Sequence, residues 1–416
     1  MSLHRNIPRD RGTHRVVSRT PVSVEGKVKA LNPSVQNWGI SGDVALVHDW
    51  LPTIGGAEAV LREMIGICEQ STVYTLFDFL NDLQRGELTR GRCRIVTSGL
   101  NRLPGVSRYY RALLLRCTRA IEEFDVSGHE IVLSSSAALA KGVLSGPDQT
   151  HIAYVHSPAR YAWDLSHAYL AGLGTGPVAG FKRALARRML HEFRHWDTRT
   201  AQHVDHFIAN SEFVRRRIRK AYRREATVIH PPVDVARLTP GDGPRDEAYL
   251  SVSRLVPYKQ TALIVAAFAA RPRLKLRVAG DGSELAALRK SAPPNVEILG
   301  RRSAEEVKRL MQRARALVFA ACEDFGIVPV EAQACGTPVI AYGRGGALET
   351  VRGGEHSHPT GLFFDAQTVP SLVAALDAFE ADGAQIRAKD CRANALRFDA
   401  ARFRRDLSAF VATHRA

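Results

Sequence analysis

The sequence predicts an α/β protein built from two parallel-sheet domains, and three observations carry that expectation. At 416 residues, 45% of them apolar, the chain has room for two α/β domains, each with a sizeable core. Short apolar runs of buried-strand type recur along it and end in turns rich in Gly or Ser. Finally, residues 316–341 read as strand, loop, helix and strand, a βαβ unit of the kind that binds ligands at the carboxyl ends of its strands.

That last segment is the most informative. Ala316-Leu-Val-Phe-Ala320 is its first strand, Gly336-Thr-Pro338 stops its helix and Val339-Ile-Ala341 is its second strand. Glu323 falls on the loop and Glu331 inside the helix. The N–H groups of Gly326 and Ile327 stand free at the helix start, where the dipole favours an anion. Two carboxylates suit the hydroxyls of a polyhydroxylated ligand but repel a bare phosphate, so the site requires cations from elsewhere. The strand Tyr249–Val252 supplies them: Arg254 and Lys259 follow it across a turn at Pro257. A guanidinium fork and a mobile ammonium suit a diphosphate.

The Arg254/Lys259 pair, the Glu323/Glu331 pair and the run Ala332-Gln-Ala-Cys-Gly-Thr-Pro-Val339 together resemble the group 1, or family 4, retaining glycosyltransferases. The resemblance spans most of residues 43 to 400. It implies the GT-B architecture, in which two Rossmann-like domains face each other across a cleft. It also assigns roles. Arg254, Lys259 and the helix end at Gly326 and Ile327 hold the diphosphate of a nucleotide-sugar, Glu331 binds the ribose and Glu323 the sugar hydroxyls. The backbone at Leu299 and Gly300 seats the base. His156, with Glu323, belongs to the catalytic group and orients the transferred sugar. The loop at Gly55 and Gly56 lies across the cleft, near the phosphates and the acceptor. No Asp-x-Asp pair occurs in the sequence, so no metal cofactor is expected and the cations take its place.

The remaining elements follow in chain order. Residues 1–40 are basic, rich in Arg, Ser and Pro, and are expected to form a disordered tail. An acceptor-side domain is expected over 41–235. Its first strand, Val44–His48, leads into the Gly55-Gly56 loop, which lacks the Gly-x-Gly-x-x-Gly of a dinucleotide site. Glu130–Leu133 is a strand ending in Ser134-Ser-Ser136. The family often has His near the position of Ala137, a departure here. His151-Ile-Ala-Tyr-Val-His156 is a strand closed by Pro158, with Arg160, Tyr161, Trp163 and Asp164 continuing either the acceptor side or the core. After the strand His206–Ala209, the prolines and Asp of 231–244 read as a linker. A nucleotide-sugar domain is expected over 236–393, with strands at Leu276–Ala279 and Val296–Leu299. Gly343-Arg-Gly-Gly346 forms another strand-to-helix junction, with room for phosphate or sugar. Residues 394–416 are expected to form a helix packing back across both domains.

The net charge of +16, from 58 basic and 42 acidic residues, either reflects solvated Arg-rich faces or attracts an anionic membrane surface or lipid-linked substrate. Residues 182–199 are rich in Arg and carry an apolar stripe, Phe181, Leu185, Met189, Phe193 and Trp196. Such a stripe reads as core before it reads as membrane-embedded. No nucleic-acid reading motif accompanies the charge, and nucleic acid is excluded as a partner. The six cysteines lack a Cys-x-x-Cys pair and fit free thiols in the cytoplasm. No apolar run reaches membrane-spanning length, and no signal-peptide core is present. The block from Tyr154 to Asp164 looks most like enzymes of surface-polysaccharide and O-antigen assembly. It favours GDP-mannose as donor and a lipid-linked or oligosaccharide acceptor, with the protein peripheral on the inner face of the plasma membrane. The alternative is a nucleotide-sugar-binding protein without catalysis. A nicotinamide enzyme lacks its phosphate fingerprint, and a related phosphorylase would need a longer chain.

Overall fold

The computed structural model describes residues 39–174 and 176–415. The expected tail at 1–40 lies outside them except for Gly39 and Ile40, and Ile40 already opens the first strand. The thirteen strands among the described residues are β1 Ile40–His48, β2 Cys68–Thr75, β3 Arg94–Thr97, β4 Ile131–Ser136, β5 Thr150–Val155, β6 His206–Ala209 and β7 Thr227–Val228, then β8 Ala248–Val252, β9 Lys275–Ala279, β10 Val296–Gly300, β11 Leu317–Phe319, β12 Val339–Tyr342 and β13 Gly361–Phe364.

They form two all-parallel sheets, ordered β3-β2-β1-β4-β5-β6-β7 and β10-β9-β8-β11-β12-β13. Helices cover both faces of each, which explains the unbroken apolar runs of the central strands. In β1, Val44 and Leu46 pack into one core while Ala45 and Val47 pack into the other. Leu317 and Phe319 of β11 face one way, Ala316 and Val318 the other. These are two Rossmann-like domains.

The strand order reverses between β1 and β4 in the first sheet and between β8 and β11 in the second. A crevice opens at the carboxyl ends of strands on either side of such a reversal. Asp49 and Ser136 leave the first of these points; Arg254 and Glu323 leave the second.

Two segments refine the sequence reading. Helix Ala388–Ala395 stays with the second domain, against helix Ile327–Ala334. The last helix, Ala400–His414, returns to the first domain, where Phe403, Leu407 and Val411 join the core of Val44 and Leu46. The crossings run side by side, with Val233 N–H donating to the Phe398 carbonyl at 2.9 Å. The apolar stripe of helix Pro177–Thr200 is core only in its second half. Phe193 and Trp196 are buried, whereas Phe181 is 73% and Leu185 51% exposed. The helix packs on helix Leu114–Glu122. No helix among the described residues is long and apolar enough to cross a membrane.

Candidate active site

The second domain presents a wall of charge. Arg254 leaves β8 on a loop pinned from behind by the turn after β9. Gly280 there has φ +152°, and a Cβ on it would sit 1.8 Å from the Ser253 carbonyl oxygen. Leu255 N–H donates to the Asp281 carbonyl at 2.8 Å, completing the pin. Only glycine permits so close an approach. Gly345 and Gly346 do the same for the neighbouring loop: Cβ atoms there would lie 2.3 Å from the backbone of Glu323 and Phe325, and Gly346 N–H donates to the Glu323 carbonyl at 2.9 Å. This loop, read from sequence as a junction with room for phosphate or sugar, also holds the Glu323 backbone in place.

Lys259 and Glu323 form an ion pair. Burial, then the like charges of Arg254 and Arg160, push the Lys259 ammonium down to about 7. Several cations are thus held near one point, an arrangement that gains from an added anion. Gly326 and Ile327 begin helix Ile327–Ala334, and among the described residues no acceptor meets their N–H groups. Further along, burial pushes the Glu331 carboxyl up to about 7 against the opposing charge of Arg237, and no described group hydrogen-bonds that carboxylate. Gly300 borders the Arg254 turn, its carbonyl accepting from Gly280 N–H at 2.9 Å. Leu299 lines a groove with Asp246, Arg277 and Arg302.

The first domain presents a neutral wall. His156, just past β5, bonds Ser135 Oγ through Nε2 at 2.8 Å, and the same hydroxyl meets His48 Nδ1 at 3.1 Å. Burial, with repulsion from His48, drops the His156 pKa to about 3, so its imidazole is neutral. The Asn210 side chain donates to the His156 carbonyl at 2.9 Å and fixes its backbone. Asp49, also buried, accepts the four consecutive N–H groups of Ala137, Ala138, Leu139 and Ala140 at 2.6–2.9 Å. Position 137, noted for lacking a histidine, therefore works here through its backbone. Gly55 N–H bonds Glu58 at 2.9 Å, and a Cβ on Gly56 would sit 2.7 Å from Ile327 Cδ1. The glycine loop thus lies directly against the helix start of the opposite domain.

A polar clasp joins the walls. Arg217 pairs with both Asp164 and Asp324, and Arg160 donates to the Cys322 carbonyl at 3.1 Å. Ser211 Oγ donates to the Asp324 carbonyl at 2.6 Å. Glu349 of the second domain accepts Glu212 and Phe213 N–H at 2.8 and 3.1 Å, capping a helix of the first, and pairs with His230 at 3.2 Å. Burial raises the Asp324 pKa while Arg160 and Arg217 pull it back. Of the residues flagged after His156, Arg160 and Asp164 belong to this clasp. Trp163 donates to the buried Asp197 at 2.7 Å as core.

The structure thus groups Arg254, Lys259 and Glu323 and sets Gly56 against Ile327. Sequence reasoning missed Asp49, Ser135, Arg217, Asp324 and Glu349. The signal for Asp324 was its place beside Glu323; the others gave none, because their partners are remote in sequence.

Residues 54–237 match the family model described as "Glycosyltransferase Family 4", and residues 241–398 match "Glycosyl transferases group 1". Residues 54–237 thus form a glycosyltransferase family 4 domain and residues 241–398 a glycosyl transferases group 1 domain. The glycosyltransferase domains meet at the clasp, and the matched segments change over at 237–241, between β7 and β8. Among curated relatives, a D-inositol 3-phosphate glycosyltransferase of Mycobacterium sp. (strain KMS) is 31% identical over 209 residues, 43% of this chain and 46% of the relative. A GDP-mannose-dependent monoacylated alpha-(1-6)-phosphatidylinositol monomannoside mannosyltransferase of Corynebacterium glutamicum is 32% identical over 238 residues, 48% of this chain and 61% of the relative. The chain spans about half the length of the relatives it matches. Two solved structures share the fold of these glycosyltransferase domains: Anabaena HepE in complex with UDP, at 16% identity, TM-score 0.64, covering 89% of this chain and all of that one, and the sucrose-phosphate synthase of Thermosynechococcus elongatus, at 16% identity, TM-score 0.68, covering 90% and 99%.

Proposed function

We propose that this protein transfers a hexose, mannose favoured, from a nucleotide-diphosphate sugar to a lipid-linked or oligosaccharide acceptor, with retention of anomeric configuration. The observation that carries the reading is the cluster of Arg254, Lys259 and the unbonded N–H groups of Gly326 and Ile327 beside two carboxylates, set opposite a neutral histidine. In this reading residues 236–393 hold the donor and 41–235 the acceptor. The cations and helix end take the diphosphate, Glu331 the ribose and Glu323 the sugar hydroxyls. As the sugar leaves, negative charge grows on the diphosphate, where fixed cations and N–H dipoles already point, a stabilisation that requires no reorganisation. His156 is neutral at working pH and acts as a hydrogen-bonding partner of the sugar; with its pKa near 3 it holds no proton to give as an imidazolium. The fixed cations do the work that a bound metal would otherwise do. The mannosyltransferase relative supports GDP-mannose as donor and a lipid-borne acceptor. The net charge of +16 supports work in surface-polysaccharide assembly at the inner face of the plasma membrane.

A thermal-shift screen against GDP-, UDP- and ADP-sugars, with and without EDTA, tests this. One nucleotide-sugar raising the transition in both conditions is the expected result. No shift with any of them removes the donor site. Stabilisation without transfer to any acceptor extract supports a binding protein instead.

A further inference from the structure

One cavity takes no part in the donor site. About 690 Å³ in volume, it lies in the first domain between helix Pro177–Thr200 and the segment around Tyr110. Trp50, Tyr110, Leu114, Tyr161, Met189 and Leu190 supply most of its apolar lining. Its charged lining residues are Arg111 and Lys182, and no carboxylate faces it. That volume is within the range of small-molecule sites, roughly 300–1,000 Å³. Beside the cavity, Val178 and Phe181 are 70% and 73% exposed, on the same helix as the exposed bases Lys182, Arg187 and Arg188. Exposed apolar side chains grouped with cations mark a contact with something apolar and anionic at once.

Two of its lining residues follow cleft residues in the chain. Trp50 follows Asp49, whose carboxylate caps the loop after β4, and Tyr161 follows Arg160, which reaches the Cys322 carbonyl of the second domain at 3.1 Å.

We infer that this cavity seats the hydrocarbon tail of a lipid phosphate or diphosphate acceptor, with Arg111 and Lys182 meeting the charged head. The inference rests on the transferase reading and names the acceptor's chemical class and its seat. An apolar lining takes the tail, cations without a competing acid take the head, and the adjoining exposed residues Val178, Phe181 and Leu185 let a tail pass from a bilayer into the protein.

Alkyl phosphates, titrated calorimetrically into the full chain below their micelle concentrations and without donor, test the assignment. Affinity should rise roughly tenfold for each two methylenes added between hexyl and decyl phosphate, as expected for chain burial. Inorganic phosphate should bind at least a hundredfold more weakly than decyl phosphate. The double variant R111E/K182E, which changes only surface charge, should weaken decyl phosphate at least tenfold, and M189W, which fills the cavity, should remove the chain-length dependence. Affinity independent of chain length, or unaltered in both variants, overturns the inference. So does binding to phosphatidylglycerol vesicles with none to monomeric decyl phosphate, which would make the face a membrane-docking surface only. The readout is separate from the donor screen. Alkyl phosphate binding in a protein that takes no nucleotide-sugar breaks the transferase reading and leaves the tail site standing.

Discussion

The two walls of the cleft are built from the same kind of element, residues just past the carboxyl ends of parallel strands at a reversal of strand order, yet they are in opposite electrostatic states. On the first-domain wall the polar groups satisfy one another. Asp49 takes four backbone N–H groups, and His48, Ser135 and His156 form a chain. On the second-domain wall burial, and then neighbouring cations, force Lys259 towards neutrality, Glu331 has no described partner, and the first N–H groups of a helix go unbonded. Buried polar groups left open cost free energy unless something binds to them. The contrast teaches that one wall is a finished scaffold and the other leaves groups open to a ligand.

Breaking the open wall should have the largest effect. Glu323→Ala removes the carboxylate nearest the cations and should lower kcat by about 10²–10³-fold, the range for loss of one group aimed at the reacting centre. Circular dichroism should show an unchanged fold. Activity within a few-fold of the parent would reject the role of Glu323.

The clasp between the walls comes next. Asp324→Asn leaves Arg160 and Arg217, both mostly buried, facing a neutral amide. Breaking a buried pair from one side costs roughly 3–5 kcal/mol, and partial exposure reduces this to about 2 kcal/mol. The urea midpoint should fall accordingly, and small-angle scattering should report a more open molecule. A midpoint unchanged from the parent would show that the clasp contributes nothing to closure.

A pH profile separates the walls without breaking either. In the proposed reading Lys259 holds the diphosphate only when protonated, below its pKa of about 7, and Glu331 accepts from ribose as an anion, above its own value of about 7. Their requirements overlap only narrowly, so kcat/KM should be bell-shaped with a maximum near neutrality, since it reports groups of the free enzyme. Glu331→Gln should remove the acid limb and keep the alkaline one. His156, at about 3, should contribute no limb in the working range. An alkaline limb that persists in Lys259→Arg would acquit the lysine.

The smallest effect probes the contact between the walls. Gly56→Ala places a methyl against the flexible end of Ile327 and should raise the donor KM a few-fold by holding the domains apart. Adding Ile327→Ala restores the space. If the double variant is no better than Gly56→Ala, the cause lies in the loop itself.

Much of this was legible in the chain. Strands buried on both faces must be apolar throughout, so β1, β8, β11 and β12 announced themselves, and the residues just past them were the right ones to examine. The strands Cys68–Thr75, Arg94–Thr97 and Gly361–Phe364 gave weaker patterns, because they lie at or next to sheet edges and carry polar or half-exposed positions. The stripe from Phe181 to Trp196 has one helical period, yet half of it faces solvent. Period fixes which side of a helix is apolar, and only the neighbours decide what covers that side.

Local physics therefore determined the α/β class, the two domains, and the Arg254, Lys259, Glu323 and Glu331 set. Each of these depends on chain neighbours, on residue type and on the direction in which a strand ends. Tertiary structure alone decided the pairing of Asp324 with Arg217, the capping of residues 137–140 by Asp49, the use of Gly345 and Gly346 as a buttress, and the open cavity beside Tyr161. Those depend on groups separated by tens to hundreds of residues, whose meeting is a property of the packed sheets and leaves no periodicity in the sequence.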